Sequence, residues 1–194
     1  MEEPNIKYSI IRYRHQQPCE CLANSLCALC EKQFELDYNL DVEFSAERLD
    51  NMFRAFMGKT EERPLRKKDM MRFISRDGLI DEKSGKVFEN MTFYRAPSVD
   101  QEDIKKHLIE KGCLQLSIRT WTRKWKERKF RSFHGEKQLR VPDKFKIKGG
   151  HSILIVGFDA IRGWEILDSH YDFTYFLAVK DLPKIKKSLY YLKI

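Results

Sequence analysis

Helix-forming patterns occupy the first half of this sequence, and strand-forming patterns occupy most of the second half. Four segments have the apolar spacing or the terminal residues that are typical of helices: residues 21–35, 46–57, 68–77 and 100–111. Four short β-rich runs follow at residues 114–118, 152–156, 164–167 and 175–179. Such segregation is typical of α+β proteins, in which helices and sheet form separate layers. We therefore predict an α+β fold with two lobes.

Local patterns add detail near the start of the chain. Residues 6–14 alternate between apolar and polar side chains, which predicts a strand. In the first helical segment, Leu22, Leu26 and Leu29 fall on one face, which we expect to be buried. Ser45 precedes the second helical segment and is suited to cap it, because a serine hydroxyl can accept a hydrogen bond from the first turn.

The composition allows a sizeable core. A chain of 194 residues fits one compact unit or two small lobes that share an interface. The hydrophobic fraction of 42% is close to the value of globular proteins. The net charge of +8 and the sequence pI of about 9.2 favour acidic partners, although charge does not indicate a fold.

The cysteines point to a reducing compartment. The chain has five, and four of them lie within twelve residues: Cys19, Cys21, Cys27 and Cys30. A secreted disulfide scaffold would spread its cysteines along the chain. The first residues lack the basic and apolar regions of a signal peptide, and no segment approaches the roughly 18 apolar residues of a membrane span. We therefore expect a cytoplasmic protein with no membrane span.

Three residues from distant parts of the chain have the positions that thiol catalysis requires. Cys21 opens the first helix, where the positive end of the helix dipole lowers the pKa of a thiol. His151 follows Gly149 and Gly150 at the start of an apolar strand, and Asp168 ends the next strand. A hairpin of these two strands would bring the histidine beside the aspartate, which would fix the tautomer of the imidazole. We predict that the three residues act as nucleophile, base and orienting residue.

Six segments in chain order resemble the papain family of cysteine peptidases. QQPCECLANS resembles the family's QGxCGSCWAFS, GHSILIVGF resembles DHAVxxVGY, and ILDSH resembles IKNSW. The matching segments lie at residues 16–25, 44–49, 71–81, 111–118, 150–158 and 166–170. His151 follows Cys21 by 130 residues and Asp168 follows it by 147. In the family, the histidine and asparagine follow the nucleophile by about 130–150 residues.

The resemblance implies a papain-like two-lobe fold, with a helical left lobe, a β-barrel-like right lobe and an active-site cleft between them. We expect one catalytic domain, residues 1–194, with the helical lobe at 12–96 and the β-rich lobe at 97–194. The resemblance also implies a protein or peptide substrate, whose peptide bonds are hydrolysed through a thioester on Cys21 without a cofactor or a metal.

The segment around the nucleophile is one residue shorter than in the family. With a gap in this segment, Cys21 aligns with the nucleophile. Without a gap, Leu22 would take that position, and the protein would be an inactive binding or regulatory module. The family holds the oxyanion with a glutamine side chain and the backbone N–H of the nucleophile. We prefer the gapped alignment, with Gln16 as the oxyanion donor; Gln17 is also within reach.

Two further departures concern the histidine. Asp168 stands where the family has asparagine, and its negative charge should raise the pKa of His151. His170 stands where the family has a tryptophan that shields the histidine. A triad with an aspartate also fits isopeptidases and acyltransferases, because a fold does not fix its reaction.

Two other segments have alternative interpretations. Cys27 and Cys30 have the spacing of zinc ligands, but their segment is helical and apolar, so we expect them in the core. Residues 119–131 mix cations with Trp121 and Trp125, a combination that can bind single-stranded nucleic acid or an anionic membrane. We favour a solvated strand and loop with aromatic side chains packed beneath it, and therefore no nucleic-acid partner.

Overall fold

The computed structural model describes residues 6–7, 20–58, 66–96, 100–122, 125 and 128–194. Of the strand predicted at residues 6–14, the described part is Ile6–Lys7, which forms strand β1. The rest of that predicted strand lies outside the described residues.

The four longer helices form where the sequence patterns predict them. The helices are α1 Cys21–Tyr38, α2 Ala46–Phe56, α3 Lys67–Asp77, α4 Gln101–Lys111 and α5 Leu182–Ile185. Ser45 caps α2 as predicted, since its hydroxyl accepts a hydrogen bond from the backbone N–H of Arg48 at 3.1 Å. The Asp100 carboxylate caps α4 through the N–H of Asp103 at 2.9 Å. Across the described residues, no helix combines the length and the apolar character that a membrane crossing needs.

The described strands form one large sheet and a small hairpin. The remaining strands are β2 Leu79–Ile80, β3 Val87–Phe88, β4 Thr92–Arg95, β5 Leu114–Thr120, β6 Phe130–Phe133, β7 Glu136–Leu139, β8 Gly149–Asp159, β9 Gly163–Leu167, β10 Tyr175–Leu177 and β11 Lys186–Lys193. The large sheet has the order β4-β11-β5-β8-β9-β10-β7-β6, with β1 paired to β8, and β2 pairs with β3. Its neighbours are antiparallel except for the pair β10 and β7. Helices α1 to α3 precede every strand of this sheet except β1, so helices and strands are largely segregated along the chain and the predicted α+β class is confirmed.

The central strand β8 is covered on both faces. Leu154 and Val156 belong to the hydrophobic core that contains α1, α2 and α3. Ile153 and Ile155 point the other way and belong to the core that contains α4. This alternation is the two-residue period of a β-strand, and it makes the sheet the layer between two cores. The predicted lobe boundary at residues 96 and 97 stays a prediction.

Helix α1 is buried along most of its length and packs against β8. Leu26 and Cys30 are fully buried. The Glu31 carboxylate accepts a hydrogen bond from the backbone N–H of Phe44 at 2.6 Å, which ties the helix to the segment before α2. Because the helix is held on several sides, its first residue, Cys21, has a fixed position beside the sheet.

The turn between β8 and β9 depends on Gly163. Its φ is +96°, and a Cβ atom at this position would lie 2.4 Å from the carbonyl oxygen of Leu177. Gly135 also has a positive φ, +78°, but its Cβ would meet nothing within 4 Å. The two glycines therefore share the backbone strain that a side chain would add and differ in the available space.

We expect Gly163→Ala to lower the free energy of unfolding by about 2 kcal/mol more than the control Gly135→Ala does. Both variants suffer the strain of a positive φ, and the first also forces a steric overlap. Urea unfolding of the two variants measures the difference. Equal losses would contradict the steric role of Gly163.

Candidate active site

Cys21 is the first residue of α1 and is partly exposed. The N-terminus of a helix favours the thiolate, because unpaired backbone N–H groups point towards it. The thiol forms a hydrogen bond with the side chain of His151 and accepts another from the backbone N–H of Ser152. Leu22 instead packs against the core formed by the helices. Of the two candidate residues, Cys21 is thus the one that contacts the histidine.

His151 and Asp168 meet at one end of the β8–β9 hairpin. His151 lies in β8, and Asp168 directly follows β9. Nε2 of the imidazole is 2.9 Å from Oδ1 of the carboxylate. Because Nε2 faces the carboxylate, Nδ1 is the ring nitrogen that is left for the Cys21 thiol. The structure therefore brings the three predicted residues into one chain of hydrogen bonds.

The surroundings favour the charged form of each of these groups. Burial raises the pKa of the Cys21 thiol, but the hydrogen bond and charge of His151 and the N–H of Ser152 outweigh burial and lower the pKa. Burial lowers the pKa of His151, but the charge and hydrogen bond of Asp168 raise it to about 9. Burial raises the pKa of Asp168, but the charges of His151 and then Arg128 outweigh burial and hold the pKa of this carboxyl well below its usual range. These shifts favour a thiolate beside an imidazolium over the neutral pair.

The carboxylate of Asp168 accepts hydrogen bonds at both oxygens. The donors are His151 Nε2 (2.9 Å) and the backbone N–H of His170 (3.1 Å) at Oδ1, and Trp125 Nε1 (3.0 Å), Arg128 Nη2 (2.6 Å) and the Tyr175 hydroxyl (3.1 Å) at Oδ2. A carboxylate that is 1% exposed needs such partners, because an unpaired buried charge is strongly destabilising. The donors also fix the plane of the carboxylate, and through it the orientation of His151.

Arg128 offsets the charge of Asp168 inside the protein. The side chains of both residues are inaccessible to solvent. Nη1 of the guanidinium donates a hydrogen bond to the carbonyl of Trp125 at 3.1 Å. The guanidinium carbon lies 4.3–5.3 Å from the centroids of four aromatic rings, those of Trp125, Phe130, Tyr171 and Tyr175. Arginine suits this position because its planar cation packs on aromatic faces and still donates in its own plane.

The interpretation of residues 119–131 as a solvated strand and loop is wrong for Arg128. Trp125 is buried, as we expected of the aromatic side chains, but the arginine is buried with it. Its partner Asp168 lies 40 residues later, so no local pattern pairs them. Trp125, Arg128 and Tyr175 are therefore residues of the candidate site that the sequence did not predict. The mixing of tryptophan and arginine in one short run was the available signal.

Two rings flank the imidazole of His151. The ring of His170 is stacked on it, with centroids 4.9 Å apart and planes inclined by 16°. The indole of Trp125 lies 5.6 Å away on a tilted plane. His170 thus covers the histidine from the position at which the papain family has tryptophan, and an indole reaches the same pair from another segment. Both rings limit the rotation of His151 and the access of water to its bond with Asp168.

The other residues considered in the sequence have separate outcomes. Gln16 and Gln17, the two candidate oxyanion donors, lie outside the described residues, as does Cys19. Cys27 and Cys30 are buried in the core of the helices. Within the described ranges, no group of three or more His, Cys, Asp or Glu side chains could hold a metal ion. The role of Gln16 stays a prediction.

We expect Arg128→Met to lower the free energy of unfolding by about 3–5 kcal/mol, because it leaves a buried carboxylate without its cation. Arg162→Met is the control. Arg162 donates to the Asp159 carboxylate at 2.6 Å on the same hairpin, but this pair is partly exposed, so its loss should cost about 1 kcal/mol or less. Urea unfolding compares the variants, and similar losses would contradict the importance of burial.

No protein-family model matches the sequence, and no curated protein sequence matches it either. Solved structures do match. Xylellain, a cysteine protease from Xylella fastidiosa, aligns with a TM-score of 0.75 at 15% identity, over 98% of this chain and 86% of that chain. The digestive procathepsin L 3 of Tenebrio molitor larval midgut aligns with a TM-score of 0.71 at 12% identity, over 100% and 71%.

A third structure is the cysteine protease CMS1MS2 from Carica candamarcensis in complex with E-64. It aligns with a TM-score of 0.72 at 11% identity, over 95% of this chain and 93% of that chain. Likeness at these identities concerns the fold, because a fold can host several reactions. It confirms the predicted two-lobe architecture, and this chain therefore has a papain-like fold.

Proposed function

We propose that this protein is a cysteine peptidase in which Cys21 is the nucleophile, His151 the general acid and base, and Asp168 the residue that orients the histidine. The observation that carries the proposal is the hydrogen-bonded series from the Cys21 thiol through the imidazole to the carboxylate. The position of the thiol at a helix N-terminus supports it. So does the fold, which the chain shares with several cysteine proteases.

The proposed reaction has two stages. The Cys21 thiolate attacks the carbonyl carbon of the scissile peptide bond and forms a tetrahedral oxyanion. The backbone N–H of Cys21 and the side chain of Gln16 would donate to this oxyanion. The imidazolium of His151 then protonates the departing amine, which leaves a thioester. In the second stage, neutral His151 removes a proton from water, the resulting hydroxide attacks the thioester, and the thiolate leaves with release of a carboxylic acid.

The aspartate in this triad is compatible with such a proton shuttle because Arg128 offsets its charge. An isolated carboxylate would bind the imidazolium too tightly for easy proton donation. The Arg128 guanidinium, 2.6 Å from Oδ2, competes with His151 for the negative charge. Thiolate, imidazolium, carboxylate and guanidinium thus alternate in sign across the site, and each charge has a neighbour of opposite sign.

The predicted cytoplasmic location stays a prediction. It is supported by the absence of a disulfide bond among the four described cysteines, Cys21, Cys27, Cys30 and Cys113. A nucleophilic thiol also needs a reduced state in order to react.

We expect iodoacetamide at pH 6 to label Cys21 rapidly, and His151→Ala to abolish the rapid reaction. At this pH an ordinary thiol is less than about 1% ionised, whereas a thiolate paired with an imidazolium remains ionised. Peptide mapping by mass spectrometry measures the labelling of each cysteine. The buried Cys27, Cys30 and Cys113 serve as internal controls.

Cleavage of linear peptides, isopeptide-linked substrates and acyl donors is then compared between wild type and Cys21→Ala. Cleavage of linear peptides that needs Cys21 supports the proposal. Slow labelling that is spread over several cysteines and indifferent to His151 would reject the enzyme and favour an inactive binding module. Turnover restricted to isopeptides or acyl donors would reject the peptidase reaction and keep the triad.

The pH profile of kcat/KM for peptide cleavage should have a falling limb near pH 9, because acylation needs the imidazolium of His151 to protonate the departing amine. The reactive ion pair exists above the lowered pKa of Cys21 and below the pKa of His151, which is about 9. Asp168→Asn should move the falling limb to lower pH, because it removes the charge that raises the histidine's pKa while burial continues to lower it.

The control Asp159→Asn makes the same change at the other end of the hairpin, where the carboxylate pairs with Arg162. It should leave the falling limb in place. The measurement is kcat/KM for cleavage of a linear peptide between pH 5 and 10. A falling limb that Asp168→Asn leaves unmoved would contradict the role of the carboxylate.

A further inference from the structure

A row of three serines crosses the sheet next to the candidate nucleophile. Ser152 in β8 is the cross-strand partner of Ser117 in β5, which is in turn the partner of Ser188 in β11. Residues that lie directly opposite each other on neighbouring strands point to the same face of the sheet and form such a row. The row begins beside Cys21, because the backbone N–H of Ser152 donates to its thiol.

This row marks a change in the chemistry of the sheet face that carries α1 and α3. Further along the same face, Leu154 and Val156 of β8 and Leu192 of β11 belong to the hydrophobic core of the helices. At the level of the serines the face is polar: Ser25 of α1 shares a hydrogen bond of 2.6 Å with Ser152. The helices and the sheet are thus joined by apolar packing at one end and by hydroxyl groups at the end near Cys21.

Lys67, the first residue of α3, reaches across to the far end of this row. Its ammonium donates hydrogen bonds to the hydroxyl of Ser117 at 2.7 Å and to that of Ser188 at 2.5 Å. It also lies 4.1 Å from the centre of the Tyr190 ring. These partners carry no formal charge, so they solvate the ammonium but do not neutralise it.

The groups around Lys67 make its position a focus of positive charge. Burial and then the neighbouring cations Lys187, Arg95 and Lys68 lower its pKa to about 7. Those three neighbours are exposed. A half-buried ammonium whose pKa is depressed by burial and by like charges is an electrostatic site that an anion would stabilise.

We propose that Lys67 is a specificity-determining residue of the cleft, which selects peptide substrates that carry an acidic side chain close to the scissile bond. The inference rests on the proposed peptidase function. Ser152 and Ser188 are two strand spacings apart, about 10 Å. An extended peptide advances about 3.3 Å per residue, so a side chain two or three residues from the bond attacked by Cys21 spans that distance.

A carboxylate suits this site better than other groups do. A substrate carboxylate can accept a hydrogen bond from the ammonium of Lys67, which already donates to the neutral hydroxyl of Ser188. It can also accept from hydroxyl groups such as that of Ser188, and a charged acceptor forms the stronger bond with the ammonium. The surrounding cations would repel a basic side chain, and an apolar side chain would leave the charge of the ammonium without a counter-charge. The net charge of +8 favours acidic substrates during encounter as well.

The test uses acetylated peptide libraries in which one position at a time is fixed as Glu or as Gln. We expect wild type to cleave the Glu library about tenfold or more faster, in kcat/KM, at one position within three residues of the cleaved bond. Lys67→Gln should reduce this ratio to about one, and Lys67→Glu should reverse the preference towards Lys over Gln at the same position.

The matched control is Lys106→Gln, which removes one positive charge from α4 on the opposite face of the sheet. It should keep the preference for Glu. A wild-type ratio near one, or a preference that survives Lys67→Gln, would overturn the role of Lys67 and leave the peptidase function intact.

Binding separates this inference from the proposed function. Fluorescence anisotropy measures the affinity of the labelled Glu and Gln libraries for Cys21→Ala and for the double variant Cys21→Ala/Lys67→Gln. A preference for Glu that requires Lys67, without cleavage by wild type, would support the acidic subsite and reject the peptidase. Absence of both cleavage and selective binding would reject both.

Discussion

The burial of one carboxylate is the constraint on which the rest of this structure depends. Asp168 carries a negative charge in the interior, where an unpaired charge would be strongly destabilising. Its charge is accommodated by Arg128 and by hydrogen bonds from His151, Trp125 and Tyr175. These partners come from separate segments, so satisfying the carboxylate fixes how those segments meet.

The same arrangement connects stability to chemistry. The hairpin of β8 and β9 holds the carboxylate against the imidazole, and the rings of His170 and Trp125 keep water from that bond. Helix α1 packs on the other face of β8 and delivers its first residue, Cys21, to the imidazole. The sheet has a hydrophobic core on each face, and at one end of it Cys21 of α1 meets His151 of β8. At that end the helices and the sheet are joined by hydrogen bonds, such as that between Ser25 and Ser152, and no longer by apolar contacts.

Much of the helical part follows from local sequence, because periodicity and capping residues act over a few positions. Ser45 caps the start of α2 as predicted, and Gly78 follows the last residue of α3. The strand predicted at residues 175–179 ends earlier, at Leu177, because the chain turns into a short 3₁₀ segment, Val179–Asp181, before Pro183 at the start of α5. Where such a turn forms depends on the residues against which the chain packs, and the periodicity of apolar residues holds no information about them.

The α+β order, the helix that begins at Cys21 and the candidate residues His151 and Asp168 were predictable from the sequence, since each rests on local pattern or on spacing along the chain. The burial of Arg128 beside Asp168 and the contact of Lys67 with the serine row become visible in the folded chain. A charged run predicts solvated cations unless the partner of each cation is known. Asp168 lies 40 residues from Arg128, and Ser117 lies 50 residues from Lys67. Long-range pairing of charge is set by the packing of the sheet, which no local pattern encodes.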